Sequence, residues 1–240
     1  MDYASSRELK NIARDKMLGQ YGTTIGAFLF MRFILIMLLG MCSSMFGQHR
    51  IMMTIAAFII TLFEGIFTYG ELSIYLKISV GMPTQSMDVF SAFRGSADRA
   101  IKARLILVAI VYGGLYIFLG IDYLCGMMQP MTGNAVEAVF GTVILIICIW
   151  LLLTYSQVMY FMQDFSSISV KEACIRSRKL MQGNRLTLLL MYLSFIPIYI
   201  VGVLSFMVGI YFIHPYVKMT LTEFYLDRVK KTTKEGGSGL

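Results

Sequence analysis

The sequence predicts an all-α, polytopic membrane protein with six transmembrane helices and amphipathic interfacial helices between them. Three observations carry this. The 240 residues are 57% hydrophobic and only 15% charged, where soluble domains run near a quarter charged. The apolar residues gather in runs long enough to cross a hydrocarbon core of about 30 Å, which takes roughly 20 helical residues. The basic residues fall in blocks between those runs. Residues 1–235 read as a single membrane domain, and 236–240, Gly-Gly-Ser-Gly-Leu, as an added linker.

The chain opens with a polar helix, "SSRELKNIARDKMLG", from Ser5 to Gly19. Residues 1–22 hold no apolar run, so no cleavable signal peptide is read and the first span is expected to serve as signal anchor. Ser5 and Glu8 form an S-x-x-E pattern, in which serine and glutamate satisfy the free N–H groups of a helix start. Gly19 is placed to end the helix in a left-handed conformation. Leu9, Ile12, Ala13 and Met17 share one face and Arg7, Lys10 and Arg14 another, the pattern of a helix lying on the inner leaflet. A relative returns as "SVKEACIRSRKLMQG", with Ser169, Glu172 and Gly183 in matching places. A weaker third copy is "SMDVFSAFRG", Ser86 to Gly95, with Phe90 and Phe93 as its apolar face. Each copy precedes two apolar runs, so the chain reads as three units of interfacial helix plus hairpin.

The spans are expected at about 23–46, 52–76, 103–121 and 135–161. The last apolar stretch, Leu186 to Leu226, would reach about 60 Å as one helix, two bilayer cores. It divides near Gly202 into spans at 186–202 and 204–226. Pro197 with Gly202 is expected to kink the fifth span, and His214-Pro215 to bend the sixth. The ends of the even spans rhyme: "YGELSIYLK" (Tyr69–Lys77), "YSQVMYFMQD" (Tyr155–Asp164) and "LTEFYLDR" (Leu221–Arg228).

Charge sets the orientation. Of the 21 Lys+Arg, all but Arg32 and Arg50 fall before span 1, between spans 2 and 3, between spans 4 and 5, or at the end of span 6 and beyond it. The loop Asp122–Asn134 has none. The positive-inside rule puts both termini in the cytoplasm. The net charge of +7 therefore belongs to topology and to anionic lipid head groups, not to nucleic acid. The expected lipid or partner contacts at the inner face are Arg7, Lys10, Arg14, Lys171, Arg176, Arg178 and Lys179.

Within the spans, Arg32 and Glu64 fall at mid-depth on adjacent antiparallel helices and are expected to form an ion pair, since a lone charge there is costly. The pair either fixes helix register or takes part in substrate binding or proton coupling. Glu71, beside Tyr69 and Tyr75, would bond a head group or neighbouring helix, or neutralise an arginine. Nothing in the sequence spells catalysis. His49 and His214 are the only histidines, and neither a metalloprotease, a serine-hydrolase nor a phosphate-loop motif is present. Cys42, Cys125, Cys148 and Cys174 form no zinc spacing; Cys42 and Cys125 lie toward the same side and could meet. The 19 methionines suit adaptable packing. No cofactor or metal is expected.

The segments "RELKNIARDKMLGQYGTTIGAF", "YSQVMYFMQDFSSISVKEACIRSRKLMQGNR", "LSFI" and "PYVKMTLTEFY" resemble a bacterial membrane-protein family catalogued as domain of unknown function 975. The block Tyr155–Arg185 carries the most specific part: Glu172-Ala173, Ser177, and Met181 with Gly183. Phe165-Ser166 stands where the family usually has proline. The family is remotely similar to the membrane domain fused to some glycerophosphodiester phosphodiesterases. The resemblance implies a six-span protein of the bacterial cytoplasmic membrane and transfers no catalytic residue; without a soluble catalytic domain the chain is not expected to be an enzyme. The expected role is non-enzymatic binding of lipid, or of a membrane partner protein or second copy, at the inner face. The alternative is a small secondary transporter or channel.

Overall fold

The structure is a computed structural model that describes residues 4–128, 133–165, 167–205 and 208–235, with side chains described except at 121–128, 133–137 and 234–235. The possible Cys42–Cys125 contact, most of the loop 122–134 and the linker 236–240 lie outside the described residues or side chains.

The serine caps form as the sequence requires. Ser5 Oγ accepts from Glu8 N at 3.2 Å and starts α1 (Ser6–Met17). Ser169 Oγ accepts from Glu172 N at 3.2 Å and starts α7 (Val170–Met181). In α7 the glutamate does not reach back; its carboxylate holds Arg176 instead. Both helices leave by the same backbone path. Leu18 and Gln182 take φ/ψ of −59/122° and −64/120°. Gly19 and Gly183 follow at φ 80° and 78°, where a side chain would be strained. Gln20 and Asn184 then open α2 (Tyr21–Phe46) and α8 (Arg185–Leu193) at −104/−5° and −101/−6°. The third copy is a 3₁₀ helix, Ser86–Arg94, capped one residue earlier than expected. Gln85 and Asp88 exchange the full reciprocal box.

The apolar stripes of α1 and α7, expected to face the inner leaflet, are covered by protein. Leu9, Ala13 and Met17, and Ala173, Leu180 and Met181, are fully buried. α1 is covered by α10 (Val208–Glu235), whose second half continues beyond the apolar segment and packs along α1, and α7 is covered chiefly by the segments 158–164 and 133–155. Lys16 Nζ bonds Glu223 Oε1 at 2.8 Å and the Ser79 carbonyl at 3.0 Å, and Ser79 Oγ donates to the same Glu223 oxygen at 2.7 Å.

Among the described residues, five helices are long and apolar enough to cross a membrane: Tyr21–Phe46, Arg50–Ser79, Ala97–Gly120, Ala138–Asp164 and Arg185–Leu204. They make this a multi-pass membrane protein. The sixth expected span falls in α10, which does not qualify by composition; its Thr220, Thr222 and Glu223 are buried, so its polarity faces protein. Two of the five are interrupted. α5 (Gly133–Tyr155) gives way to α6 (Val158–Asp164) across Ser156-Gln157. α8 gives way to α9 (Ile196–Leu204) at Ser194-Phe195, directly before Pro197, whose missing N–H ends the preceding ladder.

Packing closes a ring. α2 lies against α3 (Arg50–Ser79), α3 against α4 (Ala97–Met128), α4 against α5, α5 against α8, α9 against α10, and α10 against α2. The rhyming ends meet where α3, α6 and α10 converge. Tyr69 Oη donates to the Met162 carbonyl at 2.7 Å, Tyr225 Oη to Asp164 Oδ2 at 3.0 Å, and the Tyr160 and Tyr225 rings stack at 5.0 Å.

Candidate functional site: a polar chamber within the helix ring

Arg32 and Glu64 do meet, at 3.5 Å from Nη1 to Oε1. The tighter partner is one the sequence placed at the edge of a loop. α4 begins at Ala97, earlier than expected, and brings Arg104 inward, with Nη2 2.7 Å from Glu64 Oε2. Glu64 therefore bridges two guanidiniums from two neighbouring helices. Gly65 makes the room: a Cβ there would fall 2.5 Å from Arg104 Cβ and 2.6 Å from its Cγ.

A second cluster lies on the same α3 face. Glu71 Oε1 takes His214 Nε2 at 2.9 Å and the Tyr75 hydroxyl at 3.3 Å. Glu71 and Tyr75 are buried. The expectation that Glu71 neutralises an arginine gives way to this histidine contact, and His214 is more than the marker of a bend. Phe28 joins the clusters. Its ring stacks on the His214 imidazole at 4.1 Å, and the Arg32 guanidinium lies 5.2 Å from the Phe28 centroid.

Between the clusters is a chamber of about 260 Å³. Its polar lining includes Glu71, Tyr75, Arg104, Ser156, Tyr160 and Lys218; Leu72, Leu107, Leu152 and Leu221 supply apolar wall. Arg104 Nε is buried without a hydrogen-bond partner among the described residues. Lys218 forms no ion pair or side-chain hydrogen bond there. Three fixed cations, Arg32, Arg104 and Lys218, face two carboxylates, Glu64 and Glu71. Cations outnumber carboxylates in an apolar setting, an arrangement complementary to an anion.

The predicted inner-face residues divide. Arg7, Lys171, Arg178 and Lys179 are exposed and form no ion pair among the described residues; Arg14 is exposed and lies 3.9 Å from Asp15. Lys10 and Arg176 turn to protein. Lys10 Nζ bonds Ser194 Oγ at 2.7 Å and sits 4.5 Å from the Phe195 ring centre. Arg176 pairs with Glu172 and lies over Phe165. No group of three or more His, Cys, Asp or Glu side chains is placed to hold a metal among the described residues.

A ring of apolar helices around a charged chamber defines an α-helical membrane protein with an interior polar site. The chain belongs to the family described as "Protein of unknown function (DUF975)", which it matches over residues 1–232. No curated protein and no solved structure matches it.

Proposed function

We propose that this is a non-enzymatic binding protein of the bacterial cytoplasmic membrane, and that its chamber receives the anionic head group of a membrane amphiphile from the inner side. The observation that carries this is Lys218, a cation that lines the chamber beside Glu71 and makes no direct ion pair among the described residues, Glu71 being bonded to His214 and Tyr75 instead. The chamber volume of about 260 Å³ suits a head group better than a whole ligand, since pockets for complete small molecules start near 300 Å³. The protein crosses the membrane six times with both termini in the cytoplasm, in three repeated units; the matched turns after α1 and α7 support the repeat, and the basic blocks support the orientation.

Native mass spectrometry of the gently extracted protein tests the reading. An anionic lipid is expected at fixed stoichiometry, lost in Lys218→Met and retained in Lys218→Arg. Equal retention in all three proteins would sink it. A secondary transporter is the second reading. It is favoured by the two interrupted spans that border the chamber, at Ser156 and beside Tyr192. Discontinuous helices recur at transporter sites. Flux through proteoliposomes that Glu71→Gln abolishes would select it.

A further inference from the structure

Arg185 opens α8 away from the chamber, and its guanidinium lies 4.2 Å from the centre of the Trp150 ring on α5. Its Nε is buried and has no hydrogen-bond partner, and Arg185 forms no ion pair among the described residues. The face of the guanidinium is thus spent on the indole, while its N–H donors are not. A planar fork of donors held in place by stacking is a receptor for phosphate or carboxylate oxygens.

Beside it runs a groove of about 550 Å³ between α5 and α8. Its walls are Ile146, Ile149, Leu153, Leu186 and Leu189, and no acidic side chain lines it. Ile146 and Leu186 are exposed on the outside of the ring. One end of the groove is cationic and the rest is aliphatic. Trp150 stands between the two, its indole against the Arg185 guanidinium. We infer that this groove is a site for an anionic phospholipid, with its phosphate on Arg185 and an acyl chain along Ile146, Ile149 and Leu189. A zwitterionic lipid carries its own cation beside the phosphate and would compete with Arg185. An inorganic anion could meet the guanidinium but would leave the aliphatic wall uncovered. The site is independent of the chamber, sharing none of its lining residues.

Trp150 is the sole tryptophan of the chain, so its fluorescence reports this groove alone. The full chain is reconstituted in phosphatidylcholine bilayers titrated with either phosphatidylglycerol or phosphatidylcholine bearing brominated acyl chains, which quench indole on contact. The anionic lipid is expected to quench with about fivefold higher apparent affinity, the effect of one basic residue near an anionic head group. Arg185→Gln should abolish the preference and Arg185→Lys should keep part of it. Equal quenching by the two lipids, or an undiminished preference in Arg185→Gln, would overturn the assignment. If Arg185→Gln does not fold, Ile146→Phe fills the groove with the charge intact. It should weaken quenching by the brominated anionic lipid, and unchanged quenching would count equally against the site.

Discussion

At the scale of single residues, Glu64 bears more than either arginine it holds. Its carboxylate is the shared acceptor, so Glu64→Gln leaves two guanidiniums facing each other, whereas Arg32→Gln leaves Glu64 still held by Arg104 at 2.7 Å. Glu64 and Arg104 are only about a quarter exposed, at 26% and 23%, and Arg32 is 44% exposed. Breaking a buried pair costs about 3–5 kcal/mol; Glu64→Gln, which strands two guanidiniums, is expected in that range, and Arg32→Gln, which leaves the tighter Arg104 contact in place, well below it. Denaturant titration in detergent micelles measures both, and the reverse ranking would exclude a bridging carboxylate. Asp88 gives a pH test outside the spans. Burial alone would raise its pKa, but hydrogen bonds from Lys77 and the Gln85 N–H, with the charges of Lys77 and Arg94, reverse this and hold it below the ordinary aspartate value. A depressed folded pKa gives stability that is fully present above the unfolded value, about 3.9, and is lost as pH falls through the folded one. Protection from amide exchange in the segment 86–94, measured against the intrinsic rate at each pH, should therefore fall below about pH 4, and Asp88→Asn should show reduced protection already at neutral pH. The Arg32–Glu64 contact was legible because both depths could be counted from the span ends. Arg104 and the Glu71–His214 contact were not. The first depends on where α4 starts, and the second joins residues 143 positions apart through a packing order that periodicity does not encode.

At the scale of elements, the turns after α1 and α7 were the most readable part of the chain, because serine caps and left-handed glycines are local. Equal geometry implies equal energetics. Ser5→Ala and Ser169→Ala are each expected to cost about 1 kcal/mol, and thermal unfolding in detergent should find them alike. The third copy deviates for a reason beyond its own sequence. It must fit against α3 at Gly70, where an added Cβ would lie 1.9 Å from the Val89 carbonyl oxygen. Phe90 and Phe93 then close over Phe67, with ring centroids at 5.7 and 5.1 Å. The obstructing atom is backbone, so the 3₁₀ segment as a whole must shift. Gly70→Ala is expected to destabilise by about 3 kcal/mol, the upper part of the usual overpacking range, and to speed proteolysis between 80 and 86. Wild-type proteolysis in that variant would mean the segment is not seated on α3. The helix breaks at Ser156-Gln157 and Ser194-Phe195 were hidden, since both sit within unbroken apolar runs. Pro197 pointed to the second but placed the kink later than it occurs.

At the scale of the whole molecule, the contact between the two ends of the chain constrains the topology. α1 precedes the first apolar helix, and the polar half of α10 follows the last. They lie side by side, joined by Lys16 and Glu223 at 2.8 Å. Segments that touch in this way are on one side of the bilayer, and an even number of crossings is needed to bring them there. Five apolar helices alone would leave them on opposite sides. On the six-span reading proposed above, the first half of α10 supplies the remaining crossing, despite a composition that marks it as no ordinary span. It can be so because α2, α3 and α9 pack against α10, and its Ile213, Val217 and Thr220 are buried against protein. The proposed cytoplasmic orientation fits this pairing, since Arg7, Lys171, Arg178 and Lys179 are exposed on helices that both pack on α10. Single cysteines placed in a variant lacking the four native ones make this measurable. At Arg7, Lys179 and Lys230, a membrane-impermeant maleimide should react only after the vesicle interior is opened. At Gln48, between α2 and α3, it should react from outside at once. Labelling of Arg7 and Lys230 positions from opposite sides would require an odd number of crossings and would separate α1 from α10, removing the packing that closes the ring around the chamber.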